Sequence, residues 1–156
     1  VLLLGIIDFL EPQMRRKFSW LAAAFLMLSA GFAQAQEQAY VDITVDISEQ
    51  EMYVQTPIGN ALWPVSTGRA GYNTPTGEYT VKRMEEMWYS RKYDDAPMPH
   101  SIFFHGGYAI HATYDLKRLG RPASHGCVRL HPEYAKNLFD IVKYFGQENT
   151  IVRVVP

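Results

Sequence analysis

The feature that most narrows the fold is a run of strict alternation at residues 40–47. Val41, Ile43, Val45 and Ile47 are apolar, and Asp42, Thr44 and Asp46 between them are polar. Successive side chains of a strand point to opposite faces, so this run predicts a strand with one buried side. Glu51 to Gln55 continues as a second strand, and Pro57-Ile58-Gly59-Asn60 is a turn signal. Ala61 to Thr67 and Glu78 to Arg83 read as further strands. Ser101 to Phe104 and Tyr108 to Ala112 flank a Gly106-Gly107 turn, Gly126 to Leu130 is extended, and Thr150 to Val155 closes the chain. One stretch carries a clear helical pattern. Pro132 and Glu133 suit its start, Tyr134, Leu138, Ile141, Val142 and Phe145 give its apolar stripe, and Gly146 stops it. The expected fold is mainly β: a β-sandwich or open barrel of mixed strands with one packed C-terminal helix.

Two stretches resist this pattern. Gly68 to Gly77 is rich in Gly, Pro, Thr and Asn and reads as an ordered loop. Met84 to Pro99 has no clear period and carries Trp88, Tyr89 and Tyr93 among charges. It reads as a loop whose aromatics either cover a cleft or pack onto the body.

The N-terminal part has a different character. Met14-Arg15-Arg16-Lys17 precedes an apolar run from Phe18 to Leu28, and Ala33-Gln34-Ala35 follows. A basic start, a short apolar core and an Ala-x-Ala end make a secretory signal peptide over 14–35. Residues 1–13 then read as an extension from a misplaced start, and 36–156 as one domain. Export places the protein in the periplasm or cell wall, with no stable membrane span after cleavage. The chain has 15 basic and 16 acidic residues and no basic run in that domain, which argues against nucleic acid as a partner.

The chemistry concentrates between His111 and Leu130. Cys127 is the only cysteine, so no internal disulfide can form, and a lone thiol in an oxidising compartment is either buried or used. A thiolate attacks where a thiol does not, so a nucleophilic Cys127 needs a base. His125 lies two residues away on extended chain, and His111 lies upstream on a neighbouring strand. The spacing alone does not choose between them. Gly126 permits close backbone approach, which would let the amides of Gly126 and Cys127 face a substrate carbonyl. Arg129 falls on the same side as Cys127 and can hold a carboxylate, or else a surface ion pair.

Ser124-His125-Gly126-Cys127-Val128-Arg129-Leu130, preceded by Ala109-Ile110-His111, resembles the signature of the YkuD-type L,D-transpeptidases. Val65-Ser66-Thr67-Gly68 and Thr74-Pro75-Thr76-Gly77-Glu78-Tyr79 resemble further segments of that family in the same order. The resemblance implies Cys127 as nucleophile and His111 as general base, with the backbone carbonyl of Ala112 orienting the imidazole. Many relatives carry glycine at that last position. It also implies an oxyanion hole from the amides of Gly126 and Cys127. Substrate contacts are expected from Ser124, His125, Arg129 and Tyr108. His100 lies where relatives often have an aromatic residue, and no role is readable for it or for His105.

The implied reaction is peptidoglycan transpeptidation without a cofactor. The enzyme would cleave the bond between residue three and D-Ala four of a stem tetrapeptide. The acyl group would then pass through a Cys127 thioester to an amine of a second stem. Water, a free D-amino acid or a wall-anchored lipoprotein are alternative acceptors. Two rivals use the same residues. His111, His125, Cys127 and His131 include enough ligand types for zinc, although no acidic base stands at a recognised spacing. A non-catalytic wall-binding β domain is the other.

Overall fold

The computed structural model describes residues 41–156. The expected signal peptide and upstream extension lie outside the described residues. Among those described, no helix is long and apolar enough to cross a membrane.

Among the described residues, nine strands form two sheets. β1 (Val41–Asp46), β2 (Glu51–Thr56), β3 (Gly59–Pro64), β4 (Gly77–Thr80) and β9 (Thr150–Val155) make a five-stranded sheet in the order β3-β2-β1-β9-β4. β5 (Arg83–Ser90), β6 (Ala96–His105), β7 (Tyr108–Ala112) and β8 (Val128–Leu130) make a four-stranded sheet in that order. The sheets are mixed: β1 runs parallel to β9 and β7 parallel to β8, while the other pairs are antiparallel. Among the described residues the fold is thus mainly β with one long helix, α1 (Pro132–Phe145), which packs on β6 and β7 and touches β1.

The core follows from the alternation. Val41, Ile43 and Val45 of β1 are fully buried, as are Val152 of β9 and Met52 of β2. They meet Phe104 and Ile110 from the second sheet and Leu138 and Val142 from α1 in one cluster. Full burial of one such aliphatic side chain stabilises the fold by roughly 1.5–3 kcal/mol relative to exposure. α1 starts at His131, whose Nδ1 accepts from the Glu133 amide at 3.3 Å, and ends at Gly146, whose φ of +100° suits glycine. Its buried face is Ala135, Leu138, Phe139 and Val142. Tyr134, Ile141 and Phe145, read into the apolar stripe from sequence, sit partly exposed at its margins.

Three strand boundaries depart from the sequence expectation. Glu78 to Arg83 is not one strand: β4 pairs with β9, and the chain then crosses to the other sheet, where Arg83 opens β5. The third strand ends at Pro64 rather than Thr67. Beyond it Ser66 exchanges backbone hydrogen bonds with Arg129, at 2.9 and 3.0 Å, and Ala123 and Ser124 both donate to Thr67 O at 2.9 Å. Met84 to Pro99 is a β-hairpin, not a loop. Most of β5 stands out from the core with both faces partly wet, so its side chains carry no alternation to read. A single 3-10 turn, Arg91–Tyr93, forms the tip.

Candidate active site

The expected residues converge on the four-stranded sheet. β7 and β8 pair in parallel with His111 opposite Arg129, so Cys127, two residues before Arg129, enters from the same end as His111. A cleft of about 970 Å³ opens there. Its walls include His111, Ser124, His125, Cys127, Arg129 and Tyr108, along with the tip of the β5–β6 hairpin.

His111 is buried, and its Nδ1 lies 2.7 Å from Ala112 O. A carbonyl only accepts, so Nδ1 carries the proton and Nε2 keeps its lone pair. Burial drives the imidazole down to about 4, against a smaller upward push from the Ala112 hydrogen bond. Burial likewise pushes the Cys127 thiol up, opposed by the Ala109 amide and the Arg129 charge. The thiol donates weakly to Gly107 O at 3.9 Å. Both groups therefore rest uncharged near neutral pH, a neutral thiol and a neutral imidazole with a free lone pair lining one cleft.

The loop that carries Cys127 is tied down from behind. Ser124 Oγ accepts from the Gly126 amide at 2.9 Å and donates to Cys127 O at 2.5 Å. Of the two amides expected to face a substrate carbonyl, the Gly126 N–H is engaged by Ser124 Oγ, and the other is the Cys127 N–H. Among the described residues, nothing accepts from that amide. Gly126 has a φ of +111°, and a Cβ there would lie 2.5 Å from the Tyr108 ring. Tyr108 therefore packs directly on the glycine before the nucleophile.

His125 is bracketed by aromatics. Tyr93, from the hairpin tip, stacks on it at 4.3 Å between ring centroids, and Tyr72 meets it edge-on at 4.8 Å. Burial, then the Arg69, Arg129 and Lys92 charges, lower its affinity for a proton. Arg129 makes no ion pair among the described residues. Burial pulls its guanidinium below the ordinary value, partly opposed by Asp115 and Cys127. A half-buried cation with no carboxylate partner faces the cleft.

Other histidines lie elsewhere. His131 caps α1, and His105 packs on Tyr79 at 4.9 Å. His100 meets Phe139 edge-on at 5.6 Å, in a left-handed conformation, with its Nδ1 buried and without a partner. Among the described residues, no three His, Cys, Asp or Glu side chains are grouped as metal ligands, and His131 is drawn out of the set considered for zinc. Sequence reasoning missed the contact of Thr74, whose hydroxyl donates to Gly126 O at 2.9 Å; Tyr93, one of the aromatics expected to cover a cleft or pack onto the body, lines the cleft and stacks on His125. The Thr74-Pro75-Thr76-Gly77 segment was visible, but its contact is 52 residues distant in sequence.

Residues 40–154 match the model of the YkuD family, the L,D-transpeptidase catalytic domain. The chain belongs to this family. It is 30% identical over 125 residues to a probable L,D-transpeptidase, ErfK/SrfK, of Escherichia coli K12, covering 64% of this chain and 40% of that protein. Its fold is similar to that of an L,D-transpeptidase from Stackebrandtia nassauensis, with a TM-score of 0.66 and 27% identity over 87% of this chain and 65% of the other. An L,D-transpeptidase from Mycobacterium tuberculosis H37Rv shares the fold at a TM-score of 0.67 and 22% identity, over 75% of this chain and 58% of the other. The chain thus spans less than half of its E. coli relative.

Proposed function

We propose that this YkuD domain is a cysteine-dependent peptidoglycan L,D-transpeptidase acting outside the cytoplasmic membrane, in the periplasm or cell wall. The observation that carries the reading is the pairing of Cys127 with His111 in one cleft, where Nδ1 of His111 donates to Ala112 O and Nε2 is left as a base.

The reaction proceeds in two halves. In the first, the Cys127 thiol passes its proton to His111 Nε2 as Sγ attacks the carbonyl carbon of residue three of a stem tetrapeptide. Negative charge grows on the carbonyl oxygen, where the Cys127 amide donates to it. The bond to D-Ala four breaks, its nitrogen takes the proton from His111, and a thioester remains on Cys127. In the second half, an amine of a second stem gives a proton to His111 and attacks the thioester. Collapse expels the sulfur, which regains a proton, and a three-to-three cross-link forms. His111, neutral at rest, is ready to accept a proton at the pH of the cell exterior.

The remaining cleft residues bind substrate. Arg129 takes a stem carboxylate, since it is charged, half-buried and unpaired. Tyr108 and His125 form walls, and Ser124 holds the nucleophile loop in shape. No cofactor takes part. Water as acceptor would make the enzyme an L,D-carboxypeptidase, and a lipoprotein amine would make it an anchoring enzyme.

Product analysis tests the proposal. The purified protein is incubated with disaccharide tetrapeptide and the products are weighed by mass spectrometry. Cross-linked dimer with released D-alanine is the expected result. Tripeptide with D-alanine alone reassigns the acceptor to water, and no product from folded protein refutes the reading in favour of a wall-binding domain.

A further inference from the structure

Against Gly126, and not among the residues that wall the cleft, lies a buried hydroxyl that the chemistry above does not use. Thr74 is 4% exposed. Its oxygen accepts from the Gly68 amide at 2.9 Å, so its single proton is free for another acceptor, and that acceptor is Gly126 O at 2.9 Å. The 68–74 loop is folded tightly on itself: a Cβ on Gly68 would lie 1.8 Å from Tyr72 O and 2.8 Å from Thr74 N. Glycine at 68 thus lets the loop bring the Thr74 hydroxyl to the nucleophile loop, where Asn73 O lies at ordinary contact distance, 3.5 Å, from a Cβ built on Gly126.

Gly126 C=O and Cys127 N–H belong to one peptide unit. No cis bond occurs among the described residues, and in a trans unit the C=O and N–H point in opposite directions. Holding the carbonyl on buried Thr74 therefore turns the Cys127 N–H away from the interior. The other end of the loop is fixed independently, by Ser124 on the Gly126 amide and Cys127 carbonyl. We infer that Thr74 is a positioning residue for the oxyanion hole: its hydroxyl sets the Gly126–Cys127 peptide plane so that the Cys127 amide meets the developing oxyanion. This rests on the proposed acylation of Cys127, but on neither the stem peptide nor the acceptor. The competing view is that Thr74 merely holds two loops together.

The two views separate by chemistry. Alkylation of Cys127 by iodoacetamide is a displacement at carbon and forms no oxyanion. Acylation by p-nitrophenyl acetate transfers the acetyl group to Sγ and releases p-nitrophenol through a tetrahedral oxyanion. Loss of one oxyanion donor costs about 10²–10³ in rate, and a misdirected donor somewhat less. Thr74→Val, Thr74→Ala and Thr74→Ser are compared with wild type by both reactions, and by the ¹⁵N–¹H resonance of Cys127. Expected are an acylation rate lowered roughly 10–100-fold in the Val and Ala variants with KM little changed. Alkylation should stay within about twofold, the Cys127 amide resonance should shift, and Thr74→Ser should restore both readouts. Two variants guard against a failure to fold in one. Wild-type acylation in Thr74→Val or Thr74→Ala overturns the inference, as does an equal fall in both reactions or no rescue by serine. Wild type that the ester does not acylate overturns it too. Wild type acylated by the ester but inert toward tetrapeptide refutes the stem-peptide reading alone, and the variant comparison still decides on Thr74.

Discussion

Replacing His111 by glutamine should remove a specific part of the acid sensitivity of folding. The native imidazole is buried and titrates at about 4, against 6.5 for an exposed one. In the unfolded chain it takes up a proton as pH falls through 6.5, while in the native state it does so only near 4. Between those values the unfolded state binds more protons, so stability falls with falling pH. The contribution is fully present above pH 6.5 and fully lost below about pH 4. The gap of about 2.5 pH units, at about 1.36 kcal/mol each, sets a ceiling of ~3 kcal/mol. From pH 7 to pH 4.5 about 2 kcal/mol of it should be lost. Glutamine keeps an N–H for Ala112 O but does not titrate. Urea unfolding of wild type and His111→Gln at pH 7, 5.5 and 4.5 isolates the effect, because all other groups titrate in both proteins and cancel in the difference. The stability of wild type relative to the variant should drop by about 2 kcal/mol over that range. A pH-independent difference would refute the reasoning, since it would mean that His111 titrates alike in both states.

Gly126→Ala places a Cβ 2.5 Å from the Tyr108 ring at a φ of +111°, so we expect a loss of about 1–3 kcal/mol in urea unfolding and a larger proportional loss of activity. Arg129→Gln should raise KM for a tetrapeptide with free carboxylates by about 10-fold, from loss of a charged hydrogen bond of about 1.5 kcal/mol, and leave KM for an amidated tetrapeptide nearly unchanged. Equal effects on both substrates would mean that Arg129 does not read carboxylate. Tyr93→Ala removes the stacking on His125 and should speed iodoacetamide alkylation of Cys127 by opening the hairpin tip; an unchanged rate would show that the tip does not restrict access.

Much of this architecture is legible in the chain because local patterns set it. The alternation of Val41 to Ile47 places β1, and Pro132 and Gly146 bound α1, since period two and helix punctuation act within a few residues. Cys127, His125 and Gly126 stand out as a thiol, an imidazole and a glycine within one short span, whereas the choice of His111 over His125 comes from the family resemblance and not from spacing; the structure places all of them around one cleft. What was not legible depends on distant contacts. β5 has no continuous buried face of its own and is held to the buried β6 by cross-strand pairing such as Trp88 with Met98, and by Arg83 lying 3.7 Å over the Phe103 ring. Ser124 Oγ accepts from the Gly126 amide, and the Thr74 hydroxyl reaches Gly126 O only where the 68–77 loop folds back on it. Side-chain hydrogen bonds of this kind leave no period in a sequence.

The most direct test is to trap the acyl-enzyme. The protein is mixed with stem tetrapeptide, quenched in acid within seconds, digested and weighed. The account predicts that the peptide containing Cys127 gains the mass of the tripeptide acyl group, that hydroxylamine removes it, and that neither appears in Cys127→Ala. Turnover of the tetrapeptide by Cys127→Ala at the wild-type rate, or an adduct on any other residue, would contradict it.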